Sequence, residues 1–268
     1  MHHFILPTQD TWISSGSSEK TGDSLLEGNF GKDKVLQLNK IFQSTTFKHQ
    51  TRALVDFSGP DFTSVSQSIV DGDISSDAQF YLRLFETEGV SESSEEYTLN
   101  AFPLFNSWNE GIGKSTDNPI NKLGDSWINR DDRKGATAIS WSYRQSAIDG
   151  GIGAADEDGD GIDFSEYHVE FINAGQAFGS VTGSDFLGGA DGGGGVWIKK
   201  RGYYASQSFS SEPADIEMNV TDMVNKWFSG EAENFGMILK FSGSQETDES
   251  TFGNLKFFSK ESNTIFQP

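Results

Sequence analysis

The sequence predicts an all-β protein, an antiparallel β-sandwich with one short helix near 220–228. Three observations predict it. Short apolar or alternating runs recur along the 268 residues, broken by clusters of Gly and Asp. The 30 glycines, with many Ser, Thr, Asn and Asp residues, suit a chain of short strands and tight turns. One segment has the period of an amphipathic helix, with Val220, Met223, Val224, Trp227 and Phe228 on one face.

In chain order, strands are predicted at 4–14, 34–40, 51–57, 79–86, 96–105, 138–144, 167–172, 195–199, 215–220, 236–241 and 254–259. Residues 58–77 and 86–96 read as polar connections. In the helix, Asn219 or Thr221 is placed to cap the start and Gly230 to end the last turn. Asn234-Phe235-Gly236 then turns the chain into an apolar strand. The predicted core comprises Leu54, Val55, Phe57, Leu82, Leu84, Val224, Trp227, Phe228, Ile238 and Leu239. The 22 phenylalanines supply much of the filling that leucine provides in helical proteins. The whole of 1–268 reads as a single domain, with 145–195 a Gly/Asp-rich insertion in a sandwich loop. That insertion ends in a glycine run at residues 192–195, which has no side chains to bury.

Composition excludes several functions. A formal net charge of −20 repels nucleic acid and anionic lipid. The absence of cysteine removes disulfides and thiolate chemistry. No apolar run is long enough for a membrane-spanning helix, so no membrane insertion is expected. The first residues lack the basic region and apolar stretch of a secretory signal, which predicts assembly in the cytoplasm of the producing cell.

Several ordered motifs resemble the DNRLRE-type domain family. Asp10-Thr11-Trp12-Ile13-Ser14-Ser15-Gly16 is similar to its opening strand, and the run from Asn29-Phe30-Gly31 to Leu38 to its second strand. Thr51-Arg52-Ala53-Leu54-Val55-Asp56-Phe57 resembles the strand that follows. Phe80-Tyr81-Leu82-Arg83-Leu84-Phe85 and Ser107-Trp108-Asn109-Glu110-Gly111 match a later strand and a W-x-E-G loop. The helix from Val220 to Trp227 and the ending Phe257-Phe258-Ser259-Lys260-Glu261-Ser262 complete the series. This resemblance implies a jelly-roll-like sandwich. A narrower likeness, to virion structural proteins of contractile-tailed marine phages, rests on Gly124-Asp125-Ser126-Trp127-Ile128-Asn129-Arg130, Gly195-Val196-Trp197, Gln207-Ser208-Phe209 and the tail from Phe257 to Pro268. In the resembling proteins one more strand follows that tail. The expectation is therefore that the native chain continues past Pro268 or that a neighbouring subunit donates a strand beside 254–259.

The sharpest site candidate is the acidic loop holding Asp156, Asp158, Asp160, Asp163 and Glu166. Carboxylates at alternate positions converge on a hard cation such as Ca²⁺, and Gly161 permits the turn. Ile162 and Glu166 stand one position short of an EF-hand register, and Tyr167-His168-Val169-Glu170-Phe171 alternates like a strand. The competing interpretation is a solvated acidic loop. Trp12, Trp141 and Trp227 read as core. Trp108, Trp127 and Trp197 flank turns, where they either stack on glycan rings or fill an interface, with partial burial the commoner outcome for tryptophan. The four histidines are not set at metal-ligand spacing, no nucleophile motif occurs, and Glu110 reads as part of a turn. No enzyme activity is expected.

Two functions follow as expectations. The first is a bacteriophage structural protein of the tail, neck or capsid surface, located in the virion. It would contact other virion subunits, form a homo-oligomer or symmetric assembly, and touch host glycan. The alternative is a carbohydrate-binding module of a polysaccharide-active protein. Neither binds nucleic acid, and Ca²⁺ is the one cofactor implied.

Overall fold

The computed structural model describes residues 3–18, 22–44, 47–87, 96–141, 187–190, 193–199, 202–210, 215–247, 252–266 and 268. Its elements are β1 (Gln9–Ser14), β2 (Val35–Ser44), β3 (Phe47–Asp56), α1 (Pro60–Val70), β4 (Tyr81–Leu84) and β5 (Tyr97–Pro103). They continue with β6 (Asn129–Asp131), β7 (Ile139–Ser140), β8 (Leu187–Ala190), β9 (Gly193–Ile198), β10 (Ala205–Phe209) and β11 (Ile216–Asn219). The series ends with α2 (Thr221–Phe228), β12 (Met237–Phe241), α3 (Gly243–Thr247) and β13 (Phe252–Phe258).

The architecture is mostly β, sandwich-like, with antiparallel pairing throughout. The main sheet runs β10-β5-β12-β3-β2-β13, with β1 also on β3, and it curls into a half-barrel. β3 changes partner along its length. Its first residues pair with β2, and its later ones with β1 and β12. At the changeover the Thr51 hydroxyl stands in for a ladder bond. It accepts the Asn39 N–H at 2.6 Å and donates to the Gln37 carbonyl at 2.8 Å.

The two-stranded sheet β4–β11 laps both ends of the curl. Residues 85–87, which continue β4, reach β13: the Phe258 N–H donates to Phe85 O at 3.0 Å and the Thr87 N–H to Lys256 O at 2.9 Å. On the other side the Gln207 side chain of β10 does the work of a strand edge. Its amide donates to Asp215 O at 3.3 Å and accepts the Glu217 N–H at 2.8 Å. The edge of β13 at 256–258 is thus paired by residues 85–87 of the chain itself, within the 254–259 stretch where a further strand was expected. Unpaired backbone edges invite aggregation, and closing them removes that hazard.

One continuous core joins the layers. Leu54, Val55, Leu82, Leu84, Val224, Trp227, Ile238 and Leu239 are buried in it, while Phe57 and Phe228 are half-buried against it. Fully burying a side chain of this size stabilises the fold by about 1.5–3 kcal/mol. A satellite cluster of Trp12, Leu25 and Phe30 lies apart, with Trp12 and Phe30 stacked at 3.9 Å.

α2 forms where the periodicity predicts it, with Met223, Val224 and Trp227 buried. Its N-cap is Val220, without a side-chain cap bond. Asn219 Oδ1 accepts the Thr221 N–H at 3.0 Å, and the Thr221 hydroxyl instead accepts the Phe80 N–H at 2.9 Å. Gly230 follows the last turn. A second helix, α1, occupies part of the segment expected to be a polar connection. Pro60 sits in its first turn, Val65 is buried, and the Phe62 ring lies 4.7 Å from Phe228 and 6.0 Å from Trp227. Its Ser- and Thr-rich composition hides this periodicity, and packing on α2 supplies the stability that propensity does not.

Other boundaries moved. Residues 4–8 are not strand, the described part of the run at 138–144 contributes β7, and β6, β8 and β10 are additional. The predicted strand at 167–172 lies outside the described residues. The end of the 145–195 region forms the β8–β9 hairpin.

Candidate functional site

The five acidic-loop residues, Asp156, Asp158, Asp160, Asp163 and Glu166, lie outside the described residues. Among the described ones, no group of three or more His, Asp or Glu side chains is arranged to hold a metal ion. No helix there is long and apolar enough to cross a membrane.

The three loop tryptophans face inward. Trp108 is buried and its indole N–H donates to Phe235 O at 2.9 Å. Trp197, also buried, packs on Phe102 at 5.9 Å. Trp127 is half-buried against the core. Trp108 and Trp197 fill space between elements, and Trp127 is partly covered. Turn-flanking position in sequence does not reveal this, because β9 and the loop carrying Trp127 fold over one another.

Trp127 and Trp197 instead hold a buried charge between them. The Arg52 guanidinium lies 4.6 Å from the Trp127 ring centre and 4.9 Å from that of Trp197. Its Nε donates to Glu246 Oε1 at 2.8 Å, and the Lys240 ammonium sits 2.5 Å from Glu246 Oε2. Burial raises the pKa of Glu246, but the Arg52 and Lys240 charges outweigh it and hold the group below the usual carboxylate range. The Arg52 Nη1 also donates to Gly194 O. Gly194 has φ +80°, and a Cβ there would stand 2.3 Å from Arg52 Nη1 and 2.8 Å from the Trp127 ring. Gly194 is therefore a seat for the Arg–Trp sandwich, within a run whose sequence suggested a flexible or tightly turning segment.

A second polar centre gathers residues from the motifs that carried the resemblance. Glu110 Oε1 accepts the Asp10 N–H at 3.1 Å and lies 2.8 Å from Lys260 Nζ, while Oε2 lies 2.7 Å from Lys32 Nζ. Both ammoniums also reach Glu261 Oε1, at 2.6 Å and 2.8 Å. Hydrogen bonds from Lys260 and Lys32 hold the Glu261 carboxyl below its ordinary range. Asp10 Oδ2 accepts the Lys260 N–H at 2.6 Å. Asn29 Nδ2 donates to Glu110 O at 2.7 Å, Asp125 O at 2.9 Å and Asp125 Oδ1 at 2.8 Å. Asp10 is pushed up to about 7, mainly by burial and further by the Glu110 charge, with the Lys260 N–H opposing. Burial pushes Asp125 well above its ordinary value. Gly111, at φ +75°, passes so close to Asn29 that a Cβ would stand 2.4 Å from Oδ1. Both Glu110 oxygens are engaged in ion pairs, so the group holds segments together.

Among the described residues, a cleft of about 310 Å³ is lined by Gln79, Tyr204, Ala205, Asn219, Thr221 and Asp222 among others. Tyr204 is 41% exposed and packs on Phe102 at 4.9 Å. Tyr81, 46% exposed, pairs with Asn219 across the ladder and donates its hydroxyl hydrogen bond to Gln79 at 2.7 Å. Tyrosine, amide and hydroxyl groups together offer a ring face and hydrogen-bonding edges. Tyr204 is a single residue with no motif around it, and only the fold brings it into one cleft with Asn219 and Thr221.

No family model matches this chain, and no curated protein matches it.

Proposed function

We propose that this chain is a non-catalytic structural protein of a phage particle, a tail, neck or capsid-surface component that acts through contacts with other subunits in the virion. The observation that supports this reading most is the convergence of the motif residues Asp10, Asn29, Glu110, Asp125, Lys260 and Glu261 into one internal junction. Residues spread along the whole chain there tie the sandwich together instead of lining a reactive cleft. Apolar side chains left in solvent toward the two ends, Phe4 at 73%, Leu6 at 54% and Ile265 at 91% exposed, suit burial against further subunits. Mass spectrometry of particles purified from a lysate of the encoding phage tests the proposal. Peptides of this chain in the particles at stoichiometric level are expected. Their presence only in the particle-free fraction would overturn it.

The second reading is a carbohydrate-binding module, and the cleft beside Tyr204 favours it. Aromatic faces stack on sugar rings while amides and hydroxyls read their hydroxyl groups. The excess negative charge points to neutral glycans over acidic ones. Calorimetry against a panel of neutral oligosaccharides is expected to give a heat that Tyr204→Ala abolishes. An equal heat from that variant would remove the cleft from the reading.

The acidic loop at 156–166 is proposed to bind Ca²⁺ in either case, on the alternation of its carboxylates.

A further inference from the structure

The junction of β1, the loop bearing Glu110 and the segment after β13 does not balance its charges. Lys32 and Lys260 are shared between Glu110 and Glu261. Two ammoniums therefore neutralise two carboxylates, and Asp10 and Asp125 are left without a counter-charge of their own. Both are buried, and Asp10 Oδ1 and Asp125 Oδ2 find no hydrogen-bond partner among the described residues. From β3 the ladder presents Val55 opposite Asp10. The groups facing Asp10 are thus Glu110 from its loop, Lys260 and Glu261 from the terminal segment, Lys32 through Glu110, and Asp125 beyond Asn29.

The terminal segment depends on this centre. The Lys260 N–H is held by Asp10, its ammonium by Glu110, and the Ser259 hydroxyl donates to Asp33 O at 2.6 Å. Further on, the Phe266 ring covers Phe85 at 5.3 Å and Phe258 at 6.1 Å. Those two rings flank the place where residues 85–87 close onto β13. Loosening residues 259–266 would uncover aromatic surface at the seam of the curled sheet.

We propose that this junction is a proton-dependent clamp: Asp10 in its neutral form holds residues 259–266 against the sandwich, and its ionisation loosens them. An uncharged carboxyl accepts the Lys260 N–H without the cost of a buried, uncompensated charge. Once Asp10 ionises beside Glu110 and Glu261, three carboxylates share two ammoniums, and opening the segment to water relieves the imbalance. The raised pKa of Asp10 agrees with this direction.

Hydrogen exchange read by mass spectrometry between pH 5.5 and 8.5, corrected for intrinsic exchange, tests the clamp. Protection of peptides spanning 259–266 in the wild type is expected to fall about tenfold more than protection of β12 across that range. In Asp10→Asn, which keeps the shape and cannot ionise, the difference is expected to vanish. A flat profile in the wild type, or the same fall in Asp10→Asn, would overturn the proposal. Where that variant does not fold, carboxyl-carbon NMR of the wild type decides. A midpoint for Asp10 near neutrality supports the clamp, and one in the ordinary aspartate range refutes it.

Discussion

Two of the places where the molecule buries charge solve the same problem in opposite ways. Around Arg52, two cations share the single carboxylate of Glu246, and the excess positive charge is spread over the faces of Trp127 and Trp197. Around Asp10, carboxyl groups outnumber the ammoniums among the described residues. Cations can be held in a dry interior by ring quadrupoles. A carboxylate has no such recourse and takes up a proton instead. The carboxylate of the first centre should therefore stay charged through the neutral range, while Asp10 in the second should not.

The largest expected effect comes from breaking the first centre. Glu246→Gln leaves Arg52 and Lys240 buried without their carboxylate, and removing one partner of a buried ion pair costs roughly 3–5 kcal/mol. Urea unfolding should show that loss with an unchanged m-value. A loss below about 1 kcal/mol would mean the cations reach water and the centre is not sealed.

The second effect distinguishes the two centres by pH. The folded-state value of Asp10, about 7, exceeds its ordinary 3.8, so its contribution to stability is fully present below pH 3.8 and is lost as pH rises through about 7. Linkage of this size allows up to roughly 4 kcal/mol between those limits. Asp10→Asn should be the more stable protein at pH 8 and show no advantage at pH 4, while Glu246→Gln, which removes a carboxyl held below its ordinary range, should cost most at pH 8 and less as pH falls below 4.5. Parallel stability curves for Asp10→Asn and wild type would erase the contrast.

A smaller effect follows from Gly194→Ala. The φ of +80° and the nearby Arg52 and Trp127 atoms penalise any Cβ, and an imposed left-handed conformation costs about 1–3 kcal/mol. Thermal unfolding should show it. At Gly230, also at positive φ but with nothing within 4 Å, the same change should cost less. Equal losses at the two glycines would show that the Arg–Trp seat contributes nothing beyond backbone strain.

The smallest expected change in the fold comes from the acidic loop. Calorimetry with millimolar Ca²⁺ should give a heat in the wild type that is lost when Asp156, Asp158 and Asp160 are changed to Asn. Absence of heat in the wild type would retire the loop as a cation site. Neither buried centre should respond, since their carboxyl groups are already committed to ammoniums, amides or protons.

What could be seen in the sequence is local in origin. Periodicity set the α2 face of Met223, Val224 and Trp227, because a helix repeats its exposure every few residues whatever packs on it. Alternation and turn residues placed β3, β5, β11 and β12 within a few positions, and with them the antiparallel sandwich-like class. α1 was missed because Ser and Thr occupy much of it, and its Phe62 is anchored by a helix more than 150 residues later. The candidate site was less legible still. Trp108, Trp127 and Trp197 differ from core tryptophans only in what folds over them. Asp10, Glu110, Asp125 and Lys260 are each ordinary charged residues beside turns or strand ends. Their meeting is long-range, and so are the burial and charge imbalance that move Asp10 toward neutrality. The amino-acid order by itself determined which segments would be strands and where one helix would stand, because those follow from the covalent neighbourhood. Only the tertiary structure decided which charges are shut away from water and which residues line the cleft beside Tyr204, because desolvation and electrostatic coupling depend on distance through space and not along the chain.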